Sequence, residues 1–474
     1  MDNVESDQST ILKKLLKKAE KTEFGKSFRF KNIVSYKTFT DQIPIQFYGD
    51  LTPYIDRLKQ GEPDIIWPGK INKFAVSSGT TGKGKHIPLS NDRLSSDKSF
   101  MRKVGLSYLK QRPNPAGLLG KHLSLPGSIE NQGSIEIGEV SGFSAKRPPL
   151  WLLPFQLVDP AKLVQLNIQQ KFDLLLDKAL KANLKLITAV PSWILTLFQK
   201  AIEKTGKEDI SEIWPNLNLL ICGGVKLSNY QAHLQNLLGS LNPDFIETYG
   251  ASEGYFAFSD DLNKDDLFLV TDLGIFYEFI ADPKPNPEEL AKQETAPIWD
   301  VKEGVPYAVV ISTNSGLWRY VIKDIIEFTS TTPARILVKG RISEMLDDFG
   351  EGIYIYEAEE VLVEALRELS LKQGNFAIIP RLPQDTETPF HHWLIQFSES
   401  VENRVLEKLE KKIDLKLQKI NRHYGTRREG GAFGAPRVRA ISQEKINDWL
   451  NAKNKSGAQR KLPKIIREHI DIFL

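Results

Sequence analysis

One cysteine in 474 residues excludes an internal disulfide framework and suits a reducing compartment. That residue, Cys222, stands in the apolar run LNLLICGG, where a thiol reads as a small buried hydrophobe rather than a nucleophile. The seven histidines show neither H-x-H nor H-E-x-x-H spacing, and His391 and His392 are adjacent, hence on opposite faces of a strand. No protein-built transition-metal site is expected. Net charge is only +3, which does not suggest dedicated nucleic-acid binding. No segment approaches the ~20 apolar residues of a membrane span. The opening MDNVESDQST is acidic and polar, unlike a secretory signal, and a cytoplasmic location is expected. Repeats and low-complexity tracts are lacking too.

What is present is the material of two to three globular domains, 41% hydrophobic and 26% charged. Ile11, Leu12, Leu15, Leu16 and Ala19 recur at helical spacing with lysines on the other face, predicting a docked N-terminal helix; a membrane-surface helix is the alternative. From Ile71 to Ser330, short apolar runs (184–190, 217–224, 244–250) alternate with helical patterns. That alternation predicts an α/β sheet buried on both faces, with ligands beyond the carboxyl ends of its strands. After Leu267 two further stretches read as half-exposed antiparallel strands. The segment 329–341, TSTTPARILVKGR, reads as a linker, and beyond it a helix, two strands, a long charged helix, a strand and a final helix make a small α+β domain. Basic residues outnumber acidic ones in its last part, which favours a nearby polyanion.

Three stretches bear on chemistry. FAVSSGTTGKGKHIPLS (74–90) nearly spells the phosphate-binding G-x-x-x-x-G-K-[ST], but His86 stands where that motif needs the Mg²⁺-binding hydroxyl. Its hydroxyls, close-approaching glycine amides and lysines could wrap a triphosphate without a helix behind them; a solvated surface turn is the plainer reading. In FIETYGASEG (245–254), Tyr249 offers a flat face for a purine, Ser252 a donor to phosphate and Glu253 an acid for Mg²⁺; an ordinary strand exit is the alternative. In LWRYVIKDIIEF (317–328), Asp324 lies between apolar strand halves and needs donors, which two ribose hydroxyls or a salt bridge with Arg319 or Lys323 would supply.

Together and in this order, SGTTGKGK, TYGASEG and WRYVIKD, with KGR at 339–341, resemble the adenylate-forming superfamily of acyl-CoA synthetases, firefly luciferase and nonribosomal-peptide adenylation domains. SSGTT…IPLS, VPSWIL, LWRY…D, NRHYGTRREGGAFGAPRV and SGAQRKLPK narrow the resemblance to the auxin-responsive acyl-acid amido synthetase family, over essentially the whole chain. Plant members of that family join auxins, jasmonate or benzoates to amino acids. The sequence departs from the pattern in Ser252, where the superfamily has Thr, and in Lys323, where the family usually has Gly. The plant acyl-pocket residues have no counterpart that can be placed, so the acyl substrate is not inherited.

The resemblance implies an α/β fold with a large N-terminal ATP- and acyl-binding domain (1–332) and a small mobile α+β domain (333–474), the active site lying at their interface. It implies ATP and Mg²⁺ as cofactors, and a small-molecule acyl acid and an amino acid or other amine as partners. Ser77, Ser78, Gly79, Thr80, Thr81, Gly82 and Lys85 would hold phosphates. Gly223, Gly224 and Val225 would border adenine, with Tyr249 against its face, Asp324 on the ribose and Arg341 in the hinge beside it. Ser252 would meet the α-phosphate and Glu253 the metal. Lys461 would neutralise charge where carboxylate meets α-phosphate, unless it is one more solvated lysine of a basic tail. A thiol acceptor such as coenzyme A, a nucleotide-binding protein without turnover and a peripheral membrane protein are the alternative functions.

Overall fold

The computed structural model describes residues 4–77, 85–114, 118–146, 148, 150–224, 227–346, 348–349, 351–381, 388–452 and 462–473. Contacts divide the chain into two compact units. One comprises Met1–Asp282, Ala291–Ile322 and Ile326–Val338; the other comprises Pro283–Leu290, Lys323–Ile325 and Lys339–Leu474.

The larger unit is built on an eleven-stranded sheet. Its spatial order is Ala296–Pro297, Ile275–Ala281, Pro306–Thr313, Tyr320–Thr331, Ala334–Arg341, Leu267–Leu269, Gly254–Phe258, Asp244–Ala251, Leu219–Gly223, Leu184–Ala189 and Lys121–Ser124. The last four strands are parallel. Helices Ile168–Ala179, Pro191–Thr205 and Ser228–Leu238 fall between them in sequence, as the alternating pattern predicts. Pro191 opens its helix at the first position, and Gly206, left-handed at φ 69°, ends it. Cys222 is fully buried, and burial pushes its thiol up to about 12, so it is the inert hydrophobe expected.

Two expectations need correction. The strands after Leu267 are not half exposed: in Ile275–Ala281 every residue but the last is buried. Successive side chains of a strand point to opposite faces, and here both faces are covered. Phe276 meets Phe39 edge-on at 5.7 Å, while Tyr277 meets Phe256 at 6.3 Å. Helix Val4–Ala19 lies along this strand with Ile11, Leu12, Leu15, Leu16 and Ala19 buried, and Gln8 Nε2 donates to the carbonyls of Thr271 and Ile275 while its Oε1 accepts from Tyr277 N. The basic N-terminal helix is therefore a docked one, its apolar face committed to the protein core.

The second correction concerns 329–341. It is mostly strand rather than linker: Ala334–Arg341 runs antiparallel to Leu267–Leu269, with Leu267 opposite Ile336. Ile336 is fully buried, and of the hydroxyl residues that suggested a linker, Thr329, Ser330 and Thr331 lie in the strand Tyr320–Thr331. Contacts place Ile326–Val338 in the larger unit and Lys339–Leu474 in the smaller one.

A second sheet in the larger unit has the order Lys85–Pro88, Lys73–Ser77, Ile135–Gly138, Ile129–Gln132. The smaller unit carries a three-stranded sheet, Gln373–Arg381, Phe390–Phe397 and Arg437–Ala440, with helices Ile355–Glu368, Asn403–Ile420, Arg422–Glu429 and Gln443–Ala452. Trp393, Leu362, Leu409 and Ile413 belong to its own core. That is the α+β domain expected from the sequence. Among the described residues no helix is long and apolar enough to cross a membrane.

Candidate nucleotide site

Residues 73–77 and 85–88 form the two arms of a hairpin. Lys73–Ser77 and Lys85–Pro88 pair antiparallel, with Ser77 opposite Lys85. A P-loop feeds a helix whose N-terminus faces the phosphates. Here the chain returns as a strand, and that alone separates the two designs. Ser78, Gly79, Thr80, Thr81 and Gly82 lie outside the described residues, as do Val225 and Lys461. On the returning strand, Lys85 Nζ lies 5.5 Å from the ring centroid of Tyr48, whose hydroxyl accepts from His86 N at 2.8 Å. Burial holds the His86 imidazole below its ordinary value, which favours the neutral ring beside the loop.

The strand Asp244–Ala251 carries the second motif to its carboxyl end, where it turns back into Gly254–Phe258. Gly223, at the carboxyl end of the neighbouring parallel strand, is in register with Thr248, the residue before Tyr249. A Cβ on Gly223 would stand 2.5 Å from Thr248 Oγ1, and Gly224 is left-handed at φ 82°. Neither position accepts an ordinary side chain without movement. The half-buried Tyr249 ring sits 5.2 Å from Phe256.

In the turn that follows, Ser252 Oγ donates to the carbonyl of Val76 at 3.4 Å. That contact ties the second motif to the first strand of the hairpin. Glu253 is buried at 7% exposure, with Oε1 accepting from Tyr320 Oη at 3.2 Å. Burial, and then the neighbouring Glu253 charge, hold the Tyr320 phenol far above its ordinary value, so it stays a donor. Tyr320, which holds the Glu253 carboxylate, was not singled out from the sequence, because nothing in one sequence separates it from a core tyrosine.

Among the described residues no cluster of three His, Cys, Asp or Glu side chains could hold a metal. A single carboxylate at Glu253 does fit Mg²⁺, which commonly takes one or two carboxylates and completes its shell with phosphate oxygens and water.

Asp324 is 7% exposed. Arg319 is engaged elsewhere, its guanidinium 3.0 Å from Glu278 and donating to the carbonyl of Ile43 at 2.6 Å. Asp324 Oδ1 instead meets Arg341 Nε at 3.2 Å, so the ribose and hinge candidates are brought together within the smaller unit. Lys323, the departure from the family glycine, is left-handed at φ 68°.

Residues 1–201 match the GH3 family N-terminal domain, 268–341 its central domain and 356–470 its C-terminal domain. The chain belongs to the GH3 family. Indole-3-acetic acid-amido synthetase GH3.3 of Arabidopsis thaliana is 24% identical over 397 residues, 69% of this chain and 65% of the relative. The chain thus spans just under two thirds of that relative's length. The solved structure of the AtGH3.15 acyl acid amido synthetase in complex with 2,4-DB superposes with a TM-score of 0.76 at 18% identity, covering 99% of this chain and 93% of that one. The postadenylation structure of 2-hydroxyisobutyryl-CoA ligase superposes at 0.59 with 12% identity, covering 100% and 92%. This GH3 chain therefore shares its mixed α/β fold with adenylate-forming enzymes.

Proposed function

We propose that this GH3 chain is an ATP-dependent ligase that adenylates a small carboxylic acid and passes the acyl group to an amino acid or another amine. The observation that carries the reading is the Ser252–Val76 contact, which joins the Tyr249–Glu253 turn to the hairpin that leads into SGTTGKGK. In the first step a carboxylate oxygen attacks the α-phosphorus of ATP and the bond to pyrophosphate breaks. In the second, the amine nitrogen attacks the acyl carbon, AMP departs with the bonding electrons, and the nitrogen loses a proton.

The first step sets an anion against a polyanion, so fixed donors and cations must offset the repulsion. Ser77, Ser78, Thr80, Thr81 and Lys85 are assigned to the β- and γ-phosphates, with the amides of Gly79 and Gly82 beside them. Ser252 is assigned to the α-phosphate, Tyr249 with Gly223, Gly224 and Val225 to adenine, and Asp324 with Arg341 to the ribose. Lys461 is assigned to the charge at the reacting phosphorus. Glu253 would hold Mg²⁺, which, when bound, would neutralise charge on the phosphate oxygens. A cytoplasmic location agrees with the single buried thiol.

The test is a carboxylic-acid panel assayed by ATP–pyrophosphate exchange, followed by an amino-acid panel on the acids that respond. AMP, pyrophosphate and an amide are expected. A thioester with coenzyme A would move the chain to the thiol-using reading, and ADP with phosphate would overturn adenylation from its first step.

A further inference from the structure

We propose that Arg93 is a positioning residue that locks the Ser252–Glu253 turn to the phosphate-loop hairpin; its catalytic consequence rests on the adenylation reading. Only Leu89 and Ser90 separate Pro88, the end of the returning hairpin strand, from helix Asn91–Gln111. Ser90 caps it, its Oγ accepting from Arg93 N at 3.0 Å and donating to the carbonyl of Asn314 at 2.5 Å. Ser315 Oγ accepts from Ser90 N and donates to the carbonyl of Pro88, both at 2.7 Å. The first turn of the helix is thereby held to the hairpin at one end. From that turn the Arg93 side chain, 1% exposed, donates from Nη1 to the carbonyl of Glu253 at 2.6 Å and from Nε to Asp97 Oδ1 at 2.7 Å.

A buried ion pair is a poor stabiliser, because desolvation of both charges offsets their attraction, and an apolar pair of similar volume often does as well. Packing therefore does not require Arg93 and Asp97. What an apolar pair cannot supply is the fork: one nitrogen on Asp97 fixes the guanidinium plane, and another grips the carbonyl of the residue whose carboxylate meets Tyr320. Arg93 fixes the backbone of Glu253, and Tyr320 fixes its side chain.

The test uses the full chain and the double substitution Arg93→Met/Asp97→Leu, which removes both charges together, with Arg93→Lys as the conservative variant. Amide exchange over 249–258 is expected to be about tenfold faster in the double variant, as loss of a buried hydrogen bond frees the turn. Adenylation should slow about 100-fold with a higher Mg²⁺ midpoint, the effect of an ångström-scale misplacement, while the melting temperature falls only slightly, because the charge pair is removed whole and only the Glu253 carbonyl loses its donor. Arg93→Lys should recover part of both effects. A folded double variant with wild-type exchange over 249–258 and a wild-type Mg²⁺ midpoint would overturn the proposal. Should the double variant not fold, the same two readouts on Arg93→Lys decide it. A wild-type protein that yields no AMP with any acid would refute adenylation, and the exchange measurement would still decide the role of Arg93.

Discussion

The phenolic oxygen of Tyr320 stands 3.2 Å from Oε1 of Glu253, with both side chains buried. Glu253 lies in the turn between Asp244–Ala251 and Gly254–Phe258, and Tyr320 opens the strand Tyr320–Thr331, 67 positions further along the chain. A neutral donor on one carboxylate oxygen fixes the direction of the other.

Tyr320→Phe should leave the fold intact and slow adenylation by at least about tenfold, since a hydrogen bond to a charged group is worth roughly 1.5–3 kcal/mol. Pyrophosphate exchange measured across a Mg²⁺ series checks this. A wild-type rate at every concentration would remove Tyr320 from the site.

Asp324→Ala should weaken ATP binding at least about tenfold by the same order of energy. Because Arg341 meets the same carboxylate, Arg341→Gln should weaken ATP binding less than Asp324→Ala does. Calorimetric titration of both variants gives the ranking, and the reverse order would mean that the pair is purely structural.

Lys461→Ala should slow acyl-adenylate formation and leave amide formation from a supplied acyl-adenylate almost unchanged. Equal losses in the two assays would make the lysine structural.

Lys323→Gly should stabilise the protein by about 0.5–1 kcal/mol. A left-handed residue with a side chain costs about 1–2 kcal/mol, and the extra backbone freedom of glycine takes back about 0.5–1. Denaturant unfolding measures the shift, and a loss of stability would refute the strain.

His392 predicts a pH window. Burial, then Arg439, Arg381 and Arg437, push its imidazole down to about 4 from an ordinary 6.5. The folded ring is therefore neutral where the unfolded one takes up a proton. Its contribution is fully present above about 6.5 and is lost as pH falls toward 4. His392→Gln should flatten the stability profile of the protein across that window. An unchanged slope would show that other groups set it.

The sequence made the parallel strands readable, because Leu219–Gly223 and Leu184–Ala189 are apolar runs that end in small residues between clearly periodic helices. It also showed which turns carry Tyr249, Ser252 and Glu253, since small residues at strand ends mark close backbone approach. Three features were not readable, each for the same reason. The burial of Ile275–Ala281 on both faces depends on a helix more than 250 residues upstream. Arg341 as the partner of Asp324 depends on the segment read as a linker being a strand. The grip of Arg93 on a main-chain carbonyl leaves no side-chain pattern at Glu253 to find. Local period and composition reveal elements, but contacts between distant elements leave no local trace.

The Gln8 contacts also set an order of events during synthesis. Helix Val4–Ala19 leaves the ribosome well before its partners at Thr271, Ile275 and Tyr277, which lie 263, 267 and 269 positions on from Gln8. At about 5–20 residues per second that is a delay on the order of 13–50 s. Throughout it, Ile11, Leu12, Leu15 and Leu16 have only the nearby segments around Phe24 and Phe30 to pack against and lack the strand Ile275–Ala281. A nascent chain paused before residue 271 therefore presents a partly uncovered, lysine-flanked helix, and a fragment ending there is expected to be less soluble than the full chain although the strands from Lys121 to Phe258 are all present.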